Sequence, residues 1–165
     1  MQTCIIYMTK HGATKQASFH LAEKLPGDIQ MIDLKDELNP TIDHFDNIII
    51  GGSIYMGDIQ KQLKHFVQEN LPILLRKKIG LFLCAGHPDP KTINEQFQNA
   101  FPAALLHHAC VKARFGYTYD FYKLNAIERI IVRKIVGIKE STFQLSTEKI
   151  EEFATQFKRK SAHKI

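Results

Sequence analysis

Thr9-Lys10-His11-Gly12-Ala13-Thr14 sets two hydroxyls around one glycine, directly after the apolar run Cys4-Ile5-Ile6-Tyr7-Met8 and directly before an amphipathic stretch. A strand that ends in such a turn and opens a helix offers free backbone N–H groups, and the positive end of the helix dipole, to an anion. That is the chemistry of a phosphate cradle. It is not the nucleotide-triphosphate loop, because no Gly-Lys-Ser/Thr follows, nor the dinucleotide fingerprint, because only one glycine is present. The same residues also suit an ordinary strand-to-helix turn with Thr14 near the cap.

Two further segments of small residues follow apolar runs: Gly51-Gly52-Ser53-Ile54-Tyr55-Met56-Gly57-Asp58 and Ala85-Gly86-His87-Pro88-Asp89. Glycine belongs where backbone bends sharply or approaches a flat ligand closely. His87 and Asp89 lie where an acid or base would act, but a lone histidine is more often a surface residue, and no side chain is assigned as a catalyst.

The elements that must position these segments alternate along the chain. Apolar, β-branched runs at Cys4–Met8, Ile29–Ile32, Asn47–Ile50, Ile79–Cys84 and Val111–Phe115 predict five strands. Helical spacing appears between most of them. Ala17, Leu21 and Leu25 precede the stop Pro26-Gly27, and Asp58 is placed to cap a helix carrying Ile59, Leu63, Phe66, Val67 and Leu71, with Pro72 beyond its end. Asp89-Pro90 opens a third stripe, Ile93, Phe97 and Phe101, interrupted by Pro102; Ile150, Phe153, Ala154 and Phe157 mark the last helix. The connection from Lys35 to Asp46 reads as short and irregular. Strands alternating with crossover helices imply an α/β doubly wound parallel sheet covered on both faces, whose ligand sits beyond the carboxyl ends of the strands where the winding reverses.

The chain of 165 residues suits one domain spanning 1–165. Cys4, Cys84 and Cys110 lie in or beside apolar runs with no C-x-x-C pair, which suits buried thiols and a cytoplasmic location better than disulfides or a metal site. No leader and no uncharged run of spanning length is visible. A net charge of +5 favours an anionic partner, and the absence of a recognition-helix or aromatic RNA-binding motif ranks nucleic acid low.

On these motifs the chain resembles flavodoxins, which bind FMN and share a five-stranded sheet of order 2-1-3-4-5. Thr9-x-x-Gly12-x-Thr14, Gly52-Ser53-Ile54, and Tyr119-x-x-Tyr122 followed by Ile127-Glu128-Arg129 are similar to the menaquinone-dependent protoporphyrinogen dehydrogenase group. The resemblance implies that Thr9, Lys10, His11, Gly12, Ala13 and Thr14 hold the FMN phosphate. It further implies that Ser53, Ile54, Tyr55, Met56 and Gly57 flank the flavin ring, and that Ala85, Gly86 and His87 border it. Gly57 matches the position where flavodoxins turn a backbone carbonyl towards the flavin, while His11 replaces the usual hydroxyl residue. The implied activity is FMN-dependent oxidation of protoporphyrinogen with a membrane quinone as acceptor; the alternative is an electron carrier serving a redox protein.

Between the fifth strand and the last helix lies an extra segment at about 117–141, longer than such connections usually are. Ile127, Ile130, Ile131, Ile135 and Ile138 form a helical stripe, and residues 123–139 hold five basic side chains against one acid, Glu128. A wide apolar face edged by Arg129 and Arg133 suits peripheral membrane contact through 126–139, or equally a helix that covers the sheet. Tyr117, Tyr119, Phe121 and Tyr122 suit either a substrate entrance or core.

Overall fold

Alternating apolar side chains build both layers of this protein's core from the same five strands. The computed structural model describes residues 1–86, 89–119, 125–131, 134 and 142–160. Strands β1 (Thr3–Met8), β2 (Ile29–Asp33), β3 (Asn47–Ser53), β4 (Lys78–Cys84) and β5 (Val111–Arg114) form one sheet in the order β2-β1-β3-β4-β5. All four pairings are parallel. The expected doubly wound architecture is therefore present.

Because successive side chains on a strand face opposite ways, Cys4 and Ile6 join one core and Ile5 and Tyr7 the other. The first core packs β1, β3 and β4 under α2 (Lys61–Leu74), α3 (Pro90–Ala100) and α4 (Ala103–His108), through Leu63, Phe66, Phe97 and Leu105. The second packs them under α1 (Ala13–Lys24) and α6 (Thr147–Arg159), through Ala17, Leu21, Phe153 and Phe157. Burial at this level, roughly 25 cal/mol per Å² of apolar surface, makes the sheet a rigid platform for the loops at its carboxyl end.

Several boundaries differ from the sequence expectation, each for a local reason. Gly51, Gly52 and Ser53, read as loop, continue β3 and pair with Phe82, Leu83 and Cys84 of β4. Helix α2 begins at Lys61 after Gln60, not at an Asp58 cap, because Asp58 is held in a turn with Tyr55 and its carboxylate takes the Lys64 ammonium. Pro72, expected beyond the end of α2, lies inside its last turn, two residues before Leu74, and its missing N–H costs the helix one bond there. Asp89 caps α3 as expected, its carboxylate accepting from the Thr92 N–H at 3.0 Å. The short α4 after Pro102 was not anticipated, since six residues give too little periodicity to register.

The extra segment departs most from expectation. β5 ends at Arg114, and a second pair, β6 (Gly116–Tyr119) antiparallel to β7 (Thr142–Leu145), brackets it. Within the bracket, helix α5 covers Ala126–Ile131. Phe121, Tyr122, Arg133 and most of the stripe beyond Ile131 lie outside the described residues. Among the described residues no helix is long and apolar enough to cross a membrane.

Candidate functional site

The strand order reverses at β1, which has β2 on one side and β3 on the other. Loops leaving β1 and β3 therefore run to opposite faces of the sheet and open a crevice between them. Lys10, His11 and Ala13 from the first loop meet Ser53, Ile54 and Tyr55 from the second, over Cys84 and Tyr117. Two of the three segments singled out in the sequence thus converge at the switch point.

In the first loop Gly12 takes φ +94°, a left-handed turn that an L side chain adopts only under strain, and this aims the chain into α1. The Gly12 N–H donates to Thr9 Oγ1 at 2.9 Å, so Thr9 braces the loop from within. No side chain caps α1. The first N–H groups of a helix have no intrahelical acceptor, so the amides that follow Gly12, beginning with that of the crevice-lining Ala13, are left as donors for a ligand. Thr14 is fully buried in this first turn, and its Oγ1 has no hydrogen-bond partner among the described residues. A buried hydroxyl of that kind costs folding free energy unless something answers it. The neighbouring Cys84 thiol is pushed up to about 12 by burial, against a smaller opposing pull from the Thr14 hydroxyl, so it stays protonated and offers only a weak partner.

The second loop is a tight turn. Tyr55 N–H donates to the Asp58 carbonyl at 2.9 Å and Asp58 N–H to the Tyr55 carbonyl at 3.3 Å, with positive φ at both Met56 (52°) and Gly57 (84°). Its root is fixed by Gln60, whose side-chain amide donates to the Ser53 carbonyl, and by the Ile54 N–H donating to the Cys84 carbonyl at 2.9 Å. Met56 stands out at 67% exposure, while the Tyr55 ring turns inward beneath the Lys10 ammonium, 3.4 Å from its centroid.

From the third segment Ala85 is buried with its backbone already used: its N–H donates to the Gly116 carbonyl, and its carbonyl accepts from Arg114 Nη1 at 2.8 Å. Gly86 is half-buried beyond it, and His87 lies outside the described residues.

One side chain arrives from an unexpected place. Glu128, only 8% exposed, reaches from α5 onto the first loop, with Oε1 3.1 Å from Lys10 Nζ and Oε2 3.7 Å from His11 Nε2. Asn125 and Glu128 form a capping box: the Glu128 N–H donates to Asn125 Oδ1 and the Asn125 N–H to Glu128 Oε2. Burial works to raise the Glu128 pKa, but hydrogen bonds from Lys10 and the Asn125 N–H, with the charges of Lys10 and His11, together hold it below the ordinary carboxylate value. Lys10 shows the converse. Burial favours its neutral form, yet its bonds to Glu128 and Tyr55 keep its pKa above that of a free lysine. The Asn125-x-x-Glu128 spacing announces a helix start in the sequence; nothing local announces that its acid reaches Lys10.

With these groups in place the crevice encloses about 30 Å³, room for a water and not for a nucleotide. Wider clefts open elsewhere, one of about 580 Å³ beside Phe97, Leu106 and His107 and one of about 420 Å³ at the amino end of the sheet. Neither gathers unpaired donors at a strand's carboxyl end, so the small crevice is the better site. Its donor set suits a phosphate monoester.

The model of the flavodoxin-domain family matches residues 4–146, and the chain belongs to that family. An oxidised flavodoxin 1 from Bacillus cereus matches over 98% of this chain and 100% of its own, with a TM-score of 0.60 at 17% identity. A WrbA-like flavodoxin from Agrobacterium tumefaciens matches over 95% of each chain, with a TM-score of 0.54 at 16% identity. A Fusobacterium nucleatum flavodoxin bound to flavin mononucleotide matches over 96% of this chain and 97% of its own, with a TM-score of 0.52 at 14% identity. No curated protein matches the sequence.

Proposed function

We propose that this chain is an FMN-binding redox protein whose phosphate site is the β1–α1 loop. The observation that carries the reading is the uncapped first turn of α1, entered through the left-handed Gly12 at the sheet's switch point, with the Thr14 hydroxyl buried in it beside only the weakly bonding Cys84 thiol. Thr9 to Thr14 would hold the phosphate, and Ser53 to Gly57, with Ala85 to His87, would border the ring. Bound there, FMN supplies the electron chemistry. The chain's own part is to grip the phosphate, exclude water beside Tyr55 and Tyr117, and leave the Met56-Gly57 rim accessible. The flavodoxin fold and the FMN in the Fusobacterium nucleatum relative support this reading.

The finer reading is oxidation of a bulky planar reductant, protoporphyrinogen by sequence resemblance, with a membrane quinone as acceptor. The extra segment favours it, because α5, whose Glu128 reaches the first loop, exposes Ile127 and Ile130, 70% and 52% accessible, as a lipid-facing or substrate-facing surface would. A second reading, an electron carrier without its own substrate, is favoured by the end-to-end match with the single-domain Bacillus cereus flavodoxin.

Titration of the purified chain with FMN, followed by quenching of flavin fluorescence, tests the proposal. Thr14→Val should weaken FMN binding at least tenfold, roughly 1.4 kcal/mol, without lowering the melting temperature, since the hydroxyl it removes has only the weakly bonding Cys84 thiol beside it. Failure of the natural chain to bind FMN would overturn the reading. Turnover of protoporphyrinogen with a quinone by the FMN-loaded protein would then separate enzyme from carrier.

A further inference from the structure

The first loop already holds an anion, and that anion belongs to the chain. Glu128, a residue 8% exposed, places its carboxylate against Lys10 and His11, the two basic side chains of the loop, at 3.1 and 3.7 Å. It is oriented there by its own capping box with Asn125. A phosphate gripped by the β1–α1 loop would want the same two side chains, and the crevice as it stands, about 30 Å³, admits no nucleotide. Two anions cannot share one pair of cations in a buried crevice without repulsion that burial strengthens.

We infer that Glu128 is an internal stand-in for the ligand's phosphate, so that a mononucleotide enters by displacing it and the α5 turn that carries it. The inference rests on the phosphate reading of the loop given above. It assigns Glu128 a role that an acidic residue in an anion site otherwise lacks: it keeps Lys10 and His11 neutralised while the site is empty, and it sets how much of the phosphate's binding energy remains after the exchange. Glu128 lies in α5, between β6 and β7 in the chain, and its carboxylate meets the loop that follows β1.

Two readouts test it on the full chain. First, FMN and riboflavin, which differ by the phosphate alone, are titrated into the natural protein and Glu128→Gln. The ratio of riboflavin to FMN dissociation constants should rise at least fivefold in the variant, since only the phosphate competes with the carboxylate. An unchanged ratio, with both ligands gaining or losing alike, would mean a merely structural residue and would overturn the inference while leaving FMN binding intact. Second, saturating FMN should speed amide hydrogen exchange across Ala126–Ile131 in the natural protein; unchanged or slowed exchange there overturns the displacement. If Glu128→Gln does not fold, the ratio is read on Glu128→Asp, whose shorter reach draws the charge off Lys10 and should raise the ratio by a smaller factor. Loss of FMN binding by natural and variant chains together overturns the phosphate reading itself, and this inference with it.

Discussion

Gly51 and Gly57 lie six positions apart, one inside β3 and the other in the turn beyond it, and they are glycines for opposite reasons. A Cβ on Gly51 would lie 2.0 Å from Cζ of Phe82, its register partner on β4. Phe82 lies flat across that gap, stacked on Phe115 at 4.7 Å and edge-on to Phe153. Gly80 on β4 repeats the device two pairs back, where a Cβ would meet Phe153 at 2.8 Å. At Gly57 a Cβ would touch nothing within 4 Å, and what excludes other residues is φ +84°. In the strand, then, glycine makes room for an aromatic core; in the turn it makes a backbone shape. Only the second kind serves the site directly, and the first kind holds β3 and β4 together so that the turn has a fixed root.

The sharpest way to break this contrast is Gly51→Ala. The added methyl must push a fully buried ring out of a packed aromatic cluster, and overpacking of this sort costs about 3 kcal/mol. Urea denaturation should show a midpoint lowered accordingly, with an unchanged slope. A loss under about 1 kcal/mol would mean that Phe82 has another rotamer available and that the strand glycine is incidental.

That pair of glycines also shows how far the sequence could be read. Gly51-Gly52 looks like a loop because glycine ends strands more often than it fills them, and the reason for these two lies in Phe82 on the neighbouring strand and Leu63 on α2, which no local pattern reveals. The strands with unbroken apolar runs, β1 and β4, and the helices with clear stripes, α1, α3 and α6, were legible because period and burial coincide in them. The two loops that meet in the crevice were legible as loops because each follows a strand's apolar run. Ala85 was placed at the ligand, whereas its backbone groups are spent on Gly116 and Arg114, partners that follow only from the β6 excursion. Glu128 escaped for a related cause. An ion pair spanning residues 10 to 128 is a product of topology, and the stripe of isoleucines around it drew attention to what α5 exposes rather than to what it tucks in.

A second, milder test moves to the other kind of glycine. Gly12→Ala and Gly57→Ala each place a methyl in open space on a left-handed backbone, which costs about 1 kcal/mol and no packing. Their melting temperatures should fall by roughly 2–4 °C, less than for Gly51→Ala. FMN titration should separate the two variants from each other. Gly12→Ala shifts the amides that face the phosphate and weakens binding, while Gly57→Ala leaves the phosphate contact alone. If either turn variant proved as unstable as Gly51→Ala, the division between room-making and shape-making glycines would fail.

The finest test concerns Met56, the one described residue besides glycine with positive φ. With Gly57 it forms the centre of a turn closed by Tyr55 and Asp58, a geometry that favours Asn-Gly and disfavours a methionine, whose backbone pays for the left-handed conformation. Its side chain gains little in return from burial, being 67% exposed. Met56→Asn should therefore stabilise the protein by about 0.5 kcal/mol, seen as a melting temperature raised by about 1–2 °C. A residue that is unfavourable for folding and unpacked is retained for something outside the fold, and here it places an exposed, polarisable side chain at the rim of the crevice. The expected signature is a variant that melts higher yet passes electrons to its acceptor more slowly once loaded with FMN. A melting temperature that falls instead would show that Met56 packs in solution, and the turn would then belong with β3 as structure rather than with the site.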